Sequence, residues 1–216
     1  KISLKKKIFK YLIIAFFDFK VKNRLFIFFL LLSKPKIILD KAMFNKLNEE
    51  CGIIGISLEK ESSELLKNMY LGLFSLQHRG QESCGIAYTN HNKINLLIRQ
   101  GLVSDSLFKS LPIDTVSTSA IGHVRYSTCG ESNLINAQPL FFNCNKGELA
   151  IAHNGNIPNI NILKKQLIES GSIFQTTSDT EIVAHLLART KEKDFKKALI
   201  NTLNQIKGAF SMLILH

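Results

Sequence analysis

From residue 51 to residue 216, short apolar runs alternate with segments whose apolar residues recur every three or four positions. The short runs are rich in β-branched residues and end at polar or glycine-containing turns, which predicts strands. These strands are Cys51–Ser57, Gly85–Thr89, Lys93–Gln100, Ser117–Tyr126, Gln138–Phe142, Glu148–His153 and Ala209–Leu215. Helical spacing predicts a short helical piece ending at Phe108 and helices over Ser63–Gln77, Asn159–Glu169, Thr180–Ala188 and Asp194–Ile206. Strands joined by hairpin-like turns and flanked by helices predict an α+β domain of largely antiparallel sheets covered by helices.

Residues 1–42 differ from the rest of the chain in composition, because they contain 11 Lys/Arg and only 2 Asp/Glu. Charged residues separate their two most apolar stretches, Tyr11–Phe17 and Leu25–Leu32. Each stretch falls short of the roughly 18–20 apolar residues that a membrane-spanning helix needs. Three interpretations stay open: translated sequence upstream of a true start at Met43, a membrane-surface or targeting segment, and a structural extension. We favour the first and expect residues 1–42 to lie outside the mature protein.

The net charge of +11 suggests a nucleic-acid or membrane partner only if it is spread over the chain. Residues 43–216 carry 17 Lys/Arg and 15 Asp/Glu, so this part is nearly neutral and we expect no nucleic-acid or membrane partner. The four cysteines, Cys51, Cys84, Cys129 and Cys144, form no CxxC pair and match no zinc spacing. We therefore expect free thiols in a reducing cytosol and no metal site in this chain.

Polar side chains gather where the predicted strands end. Arg125 ends one strand, Asn154 and Gly155 end another, and Asp179 opens a helix. An arginine and an aspartate in one pocket suit the carboxylate and the ammonium of an amino acid, and an asparagine amide beside a glycine N–H suits an oxyanion. Each feature also has a simpler interpretation, as a surface charge, a tight turn or a helix cap.

Cys51 stands at the boundary in composition and begins a predicted strand. A cysteine in such a place is more often a small buried apolar residue than a nucleophile. If the chain were cleaved between Glu50 and Cys51, the thiol could attack a substrate with its own α-amine as base, since the two groups titrate near ~8.5 and ~8. A papain-like pairing with His78, His123 or His153 also stays open.

Seven segments of the chain, taken in order, carry a family pattern. They are Cys51–Gly55, Gln77–Ser83, Gly101–Ser104, Gly122–Thr128, Ala137–Pro139, His153–Asn156 and Thr176–Glu181. Together they resemble the class II glutamine amidotransferases of the N-terminal-nucleophile hydrolase family, over essentially all of residues 51–216. The segments at His78–Glu82 and His123–Tyr126 differ from those of the glucosamine-6-phosphate synthase and asparagine synthetase branches. The resemblance therefore favours the branch that passes ammonia to phosphoribosylpyrophosphate.

The resemblance implies a four-layer αββα sandwich of two antiparallel sheets. It also implies that residues 43–50 are a short propeptide, whose removal makes Cys51 the N-terminal nucleophile. Asn154 and Gly155 would then form the oxyanion hole for the tetrahedral intermediate.

The substrate site implied by the resemblance recognises both ends of glutamine. Arg125 would bind the α-carboxylate and Asp179 the α-ammonium. Further residues implied at the site are Arg79, Tyr126, Ser127 and Thr128, of which the first two would tie glutamine binding to a partner domain. The chain departs from the family pattern at Cys84 and Cys129, where small residues such as alanine are usual.

Residues 51–216 are accordingly expected to be a glutaminase domain, with a phosphoribosyltransferase domain missing from this chain beyond His216. The implied reaction releases ammonia from glutamine and transfers it to phosphoribosylpyrophosphate, giving 5-phosphoribosylamine in the first committed step of purine synthesis. One alternative is the glutaminase domain of another class II amidotransferase, such as glucosamine-6-phosphate synthase. A non-enzymatic alternative is a membrane-tethered or regulatory module in which Cys51 stays internal.

The resemblance implies no cofactor in this domain and Mg²⁺ in the missing phosphoribosyltransferase domain. It leaves an iron–sulfur cluster open, because the ligands of that cluster would lie partly beyond His216. L-glutamine is the implied ligand, and the implied assembly is a homo-oligomer in the cytoplasm.

Overall fold

The computed structural model describes residues 12–17, 26–27, 51–126 and 134–216. Strands within these residues form two sheets, with the orders β1-β9-β8-β7 and β2-β3-β6-β4-β5. The strands are β1 Leu12–Phe17, β2 Phe26–Ile27, β3 Gly52–Ser62, β4 Ser83–Asn90, β5 Lys93–Gln100, β6 Ser117–Arg125, β7 Leu140–Cys144, β8 Gly147–Gly155 and β9 Phe210–Leu215. All of the paired strands are antiparallel except β1 and β9, which run parallel.

In the described residues, four α-helices cover the outer faces of these sheets. They are α1 Glu64–Ser75, α2 Ile160–Glu169, α3 Thr180–Arg189 and α4 Phe195–Leu203. A single π-helical turn, Val103–Leu107, continues into a 3₁₀ turn, Phe108–Ser110, and further 3₁₀ turns lie at Gln77–Arg79 and Leu134–Asn136. Within the part of the chain that the structure describes, no helix combines the length and the apolar character needed to cross a membrane.

Three clusters of buried apolar side chains define the layers. One packs α2, α3 and α4 against the sheet that contains β8 and β9. A second packs α1 and the π-helical turn against the sheet that contains β3, β4 and β6. The third lies between the two sheets and is built from the small and branched side chains of Ala87, Ile121, Ala150, Ala152, Leu213 and Leu215. Helix, sheet, sheet and helix therefore stack as the predicted αββα sandwich.

The predicted elements are present, and their ends show where side-chain pattern and backbone pairing differ. Strand β3 continues to Ser62, five residues beyond its predicted end, because its polar last part still pairs with β6 after a shift in register. Strand β7 begins at Leu140, two residues later than predicted. The predicted β4–β5 hairpin turns at His91 and Asn92, which have φ of 48° and 60° as a type I′ turn requires.

Asn159, the first residue of the predicted helix, makes contacts other than a helix cap. It occupies the N-cap position of α2, yet its side chain makes no capping hydrogen bond. Instead Nδ2 donates to the Gln205 carbonyl at 3.0 Å, and Oδ1 accepts from the Lys207 N–H at 2.9 Å. The residue therefore joins the start of α2 to the segment between α4 and β9.

Candidate active site

The predicted catalytic residues meet where β3 begins and where β6 and β8 end. The Tyr126 N–H lies 3.4 Å from the Cys51 sulfur, which itself lies 3.6 Å from the Tyr126 carbonyl oxygen. Asn154, near the end of β8, donates from Nδ2 to the Cys51 carbonyl oxygen at 2.7 Å. Cys51 is half-buried. The structure thus brings together Cys51, Tyr126 and Asn154, which are up to 103 residues apart in sequence.

Arg79 approaches the same cysteine from the turn that follows α1. Its Nε donates to the Cys51 carbonyl oxygen at 3.2 Å. The turn lies directly on β6, because a Cβ at Gly80 would be 2.6 Å from the Arg125 carbonyl carbon. Gln77 fixes the turn further, since its amide donates to the Gly80 carbonyl and accepts from the Val103 N–H at 2.6 Å.

Arg125 forms an ion pair with Glu82. Its Nη1 lies 3.2 Å from Glu82 Oε1, and both side chains are mostly buried. The backbone reinforces the pair, because the Glu82 N–H donates to the Arg125 carbonyl at 3.1 Å. Within the described part of the chain, Glu82 Oε2 is buried without a hydrogen-bond partner. Sequence reasoning did not select Glu82; the available signal was an acidic residue directly before a buried strand.

Asp179 lies at the N-cap of α3, but it makes no side-chain capping bond. Its Oδ2 accepts from the Ile157 N–H at 3.3 Å, and its Oδ1 lies 3.3 Å from His153 Nδ1. The side chain is 21% exposed. Its carboxylate is therefore held against the segment that continues from Asn154 rather than being used to cap the helix.

The three histidines considered as partners for Cys51 have other contacts. The fully buried His123 donates from Nε2 to the His153 carbonyl at 3.2 Å. Burial lowers the pKa of His123 to about 3, so its ring is neutral at physiological pH. His78 Nδ1 lies 3.1 Å from the Ser75 carbonyl oxygen. These hydrogen bonds give His78 and His123 structural roles and do not favour a papain-like pair.

Position 155, at the end of β8, requires a glycine. Its φ is +140°, and a Cβ there would lie 2.6 Å from the Ala209 carbonyl oxygen. The remaining predicted site residues, Ser127 and Thr128, lie outside the described residues. Among the residues that are described, no group of three His, Cys, Asp or Glu side chains is placed to hold a metal ion.

The arrangement has the parts needed to attack an amide. The backbone carbonyl of the cysteine accepts a hydrogen bond from an asparagine amide, and a glycine follows that asparagine at the strand end. A buried arginine–glutamate pair and a partly exposed aspartate provide charges for the two ends of an amino acid.

Comparisons with known proteins relate the chain to glutamine amidotransferases. A family model described as a glutamine amidotransferase domain matches residues 123–216. Amidophosphoribosyltransferase 3, chloroplastic, of Arabidopsis thaliana is 48% identical over 169 residues, which are 78% of this chain and 31% of that protein. Amidophosphoribosyltransferase of Bacillus subtilis is 46% identical over 171 residues, which are 78% of this chain and 35% of that protein. The chain thus spans about a third of the length of these curated relatives.

Two solved structures share the fold. The first, described as the allosteric regulatory enzyme of purine biosynthesis, has a TM-score of 0.69 and 44% identity, and the match covers 76% of this chain and 35% of that one. The second is the glutamine phosphoribosylpyrophosphate amidotransferase of B. subtilis complexed with ADP and GMP. It has a TM-score of 0.67 and 43% identity, and the match covers 76% of this chain and 34% of that one.

Proposed function

Because the chain belongs to the glutamine amidotransferase family that includes the amidophosphoribosyltransferases, we propose that residues 51–216 hydrolyse glutamine to glutamate and ammonia. One observation carries this proposal above the others: Asn154 and Arg79 both donate hydrogen bonds to the carbonyl oxygen of Cys51. They hold the proposed nucleophile beside the residues proposed for the oxyanion hole and for glutamine binding.

The nucleophile of this mechanism is the thiol of Cys51 after cleavage of the Glu50–Cys51 bond. The α-amine released by cleavage accepts the thiol proton, since an α-amine and a thiol titrate near ~8 and ~8.5. The sulfur attacks the side-chain carbonyl carbon of glutamine. Collapse of the tetrahedral intermediate returns the proton to the leaving nitrogen, which departs as ammonia. Water then hydrolyses the thioester to glutamate and restores the thiol.

The oxyanion hole is proposed at Asn154 and Gly155. A carboxamide nitrogen carries two hydrogens. One hydrogen of Asn154 Nδ2 is used by the Cys51 carbonyl, which leaves the second for the oxyanion, together with the Gly155 N–H. The rigid end of β8 presents both donors, and this preorganisation is what stabilises charge in a transition state.

Both ends of glutamine are matched by charged side chains. Arg125 is proposed to bind the α-carboxylate, with Glu82 holding its guanidinium group in place. Asp179 is proposed to bind the α-ammonium with the exposed part of its carboxylate. Ser127 and Thr128 are proposed to complete the site, and Arg79 and Tyr126 to relay glutamine binding to a partner domain.

The ammonia is proposed to react with phosphoribosylpyrophosphate, giving 5-phosphoribosylamine and pyrophosphate at the entry to purine synthesis. This step belongs to a phosphoribosyltransferase domain, for which Mg²⁺ is the proposed cofactor; an iron–sulfur cluster stays open. The curated relatives and their solved structures support this acceptor. A cytoplasmic homo-oligomer is part of the same proposal.

The N-terminus of the mature protein tests the mechanism. We expect intact-mass and peptide analysis to find Cys51 as the first residue, and a glutamine-analogue electrophile to modify that cysteine. Burial raises the pKa of the Cys84 thiol, against the smaller opposing effects of Ser106 and Arg99, so Cys84 should react poorly at neutral pH. A mature protein that retains residues 43–50, with Cys51 unmodified, would support the regulatory-module alternative instead.

Substitution of the cysteines separates catalysis from general thiol chemistry. Cys51→Ser should abolish glutamine hydrolysis because a serine hydroxyl is a much weaker nucleophile at neutral pH. Cys144→Ser is the matched control, since Cys144 is also half-buried but ends β7, and this variant should hydrolyse glutamine normally. Wild-type hydrolysis by Cys51→Ser would implicate another cysteine.

The acceptor is tested in the full-length protein by following glutamine-dependent release of pyrophosphate from phosphoribosylpyrophosphate with Mg²⁺ present. Formation of glucosamine 6-phosphate from fructose 6-phosphate would favour the alternative amidotransferase instead. The two outcomes distinguish the acceptors whatever the rate of the glutaminase half-reaction.

A further inference from the structure

A buried polar network joins the end of β8 to the start of α3, and His153 lies at its centre. The His153 N–H donates to Gln138 Oε1 at 2.7 Å, so the other atom of that amide, Nε2, is the one that donates to Thr180 Oγ1 at 3.2 Å. The ring of His153 lies against the same hydroxyl, with Nδ1 3.2 Å from Thr180 Oγ1. His153 is 3% exposed, Gln138 7% and Thr180 0%. Polar side chains buried this deeply in an apolar sandwich are held by specific hydrogen bonds.

Asp179 determines which nitrogen of the His153 ring carries the proton. Its Oδ1 lies 3.3 Å from Nδ1, and a carboxylate can only accept. An unprotonated Nδ1 would turn a lone pair toward that oxygen, whereas a protonated Nδ1 donates to Thr180 Oγ1 and places the positive end of its N–H bond beside Asp179 Oδ1. The other nitrogen, Nε2, is buried with no hydrogen-bond partner in the described part of the chain. Among the described residues, the ring therefore makes its polar contacts through Nδ1 alone, and Nδ1 faces Asp179.

We propose that His153 is a positioning residue that holds the Asp179 carboxylate in the orientation that receives the α-ammonium of glutamine. This inference rests on the proposed function, because it assumes that Asp179 binds that ammonium. His153 Nδ1 fixes Oδ1, while the Ile157 N–H fixes Oδ2 from the other side.

Because His153 is next to Asn154 in the chain, its contact with Asp179 links the residues proposed to bind the two ends of the substrate. His153 directly precedes Asn154, the proposed oxyanion donor, and its backbone N–H is tied to Gln138. A single residue of β8 therefore sets the distance between the group that binds the ammonium and the group that binds the reacting carbonyl. Thr180 Oγ1 contacts the same edge of the ring at Nδ1, and Gln138 Nε2 donates to that hydroxyl.

Two substitutions separate the edges of the ring. An asparagine amide reaches the position of Nδ1, whereas a glutamine amide reaches the position of Nε2. We therefore compare His153→Asn with His153→Gln in the full-length mature protein. The substrates are glutamine and glutaramate, the analogue of glutamine that lacks the α-ammonium group.

The measured quantity is the ratio of kcat/KM for glutamine to kcat/KM for glutaramate. We expect His153→Gln to lower this ratio about tenfold through a higher KM for glutamine, as the loss of one favourable polar contact with a charged group would. His153→Asn should keep most of the ratio. Equal losses on both substrates, or equal ratios for the two variants, would overturn the proposal and leave His153 a structural residue of β8.

Controls separate this inference from the function on which it rests. Asp179→Asn should lower the same ratio in a protein with intact His153; if it does not, the assignment of Asp179 fails rather than that of His153. Alkylation of Cys51 by iodoacetamide, which has no amino-acid group, reports that each variant is folded around its nucleophile.

Discussion

Asn154 has two amide hydrogens, and the Cys51 carbonyl uses one of them. We expect Asn154→Ala to lower kcat for glutamine hydrolysis by about 10²–10³, which is the usual loss for one oxyanion donor, the role proposed for Asn154. The KM for glutamine should change much less, because the donor acts on charge that develops after binding. Steady-state glutaminase assays measure both constants.

The control for this substitution is the exposed Asn156, which follows two residues later. Asn156→Ala should leave kcat close to that of the wild type. A comparable fall in both variants would indicate disruption of the β8 terminus instead of loss of an oxyanion donor.

Gly155 supports the same site through its backbone conformation. An alanine there would place Cβ 2.6 Å from the Ala209 carbonyl oxygen and 2.7 Å from Phe210 Cα, in addition to the cost of φ at +140°. We expect Gly155→Ala to lower the free energy of unfolding by about 1–3 kcal/mol and to lower kcat as well. Chemical denaturation and the glutaminase assay measure the two effects.

Gly171 provides the comparison for Gly155. Its φ is +90°, but an added Cβ would meet no atom of the described residues within 4 Å. Gly171→Ala should therefore cost only the conformational strain, about 1 kcal/mol, with kcat unchanged. If Gly155→Ala lost no more stability than this, Ala209 and Phe210 would be able to move away from the added Cβ at little cost.

Single residues could be selected from the sequence where local pattern and chemistry coincide. Cys51, Arg125 and Asn154 stand at predicted strand ends, and the structure places all three at one edge of the sandwich. The ion pair of Glu82 and the contact between His153 and Asp179 could not be predicted in this way. Both depend on partners that are brought close only by tertiary packing, 43 residues away for Glu82 and 26 residues away for His153.

At the scale of elements, the start of α3 depends on Glu181. This carboxylate is nearly fully buried and accepts from the Gln175 N–H at 2.9 Å and from the Thr176 N–H and hydroxyl at 2.7 Å each. We expect Glu181→Gln to lower the free energy of unfolding by about 1–3 kcal/mol. A neutral amide is a weaker acceptor than a carboxylate, and its NH₂ group would face the N–H and hydroxyl groups that now donate to Glu181. Hydrogen exchange at residues 174–179 should increase.

Glu169→Gln is the matched control on α2. Its carboxylate is 62% exposed and lies 3.9 Å from Lys165 Nζ, so the substitution should change stability by less than about 0.5 kcal/mol. If Glu181→Gln were equally mild, the loop before α3 would be held mainly by Asn136, which pairs with Thr177 through two hydrogen bonds.

Elements were predictable where apolar periodicity determines them, and less so at their ends. The spacing of Leu65, Leu66, Met69 and Leu73 predicted α1, and all four are buried in the structure. The last residues of β3 carry no such pattern, because they extend the strand through backbone pairing with β6 alone. The N-cap positions of α2 and α3 were recognised, but Asn159 and Asp179 use their side chains for longer-range contacts.

At the scale of the whole molecule, the order of the strands in the αββα sandwich brings the candidate site residues to one edge. Strand β6 is central in its sheet and pairs with both β3 and β4, so its end lies between Cys51 and Glu82. Strand β8 is central in the other sheet and carries Asn154 to the same edge. Alternation along the chain predicted antiparallel sheets covered by helices, and the family resemblance implied two of them. Strand order within the sheets depends on long-range pairing that a local pattern does not contain.

The stability of the molecule also depends on pH, because the two sheets pack face to face and bury His123. This ring is fully buried on β6 and donates to the His153 carbonyl on β8, with Arg125 and the His153 ring as the neighbouring groups that disfavour its charge. Burial lowers its pKa from 6.5 to about 3, so the unfolded chain binds a proton that the folded protein excludes between these values. Stability is therefore retained above pH 6.5 and is lost as the pH falls toward 3, by about 1.4 kcal/mol per pH unit.

His123→Gln tests this dependence because a glutamine amide can donate to the His153 carbonyl in place of Nε2 without titrating. Between pH 7 and pH 5 we expect the wild type to lose about 2 kcal/mol more free energy of unfolding than the variant does. Urea denaturation at the two pH values measures the difference, and other titrating groups cancel because both proteins contain them. Parallel losses in the two proteins would mean that His123 takes up its proton in the folded state, with the sheets opening enough to hydrate it.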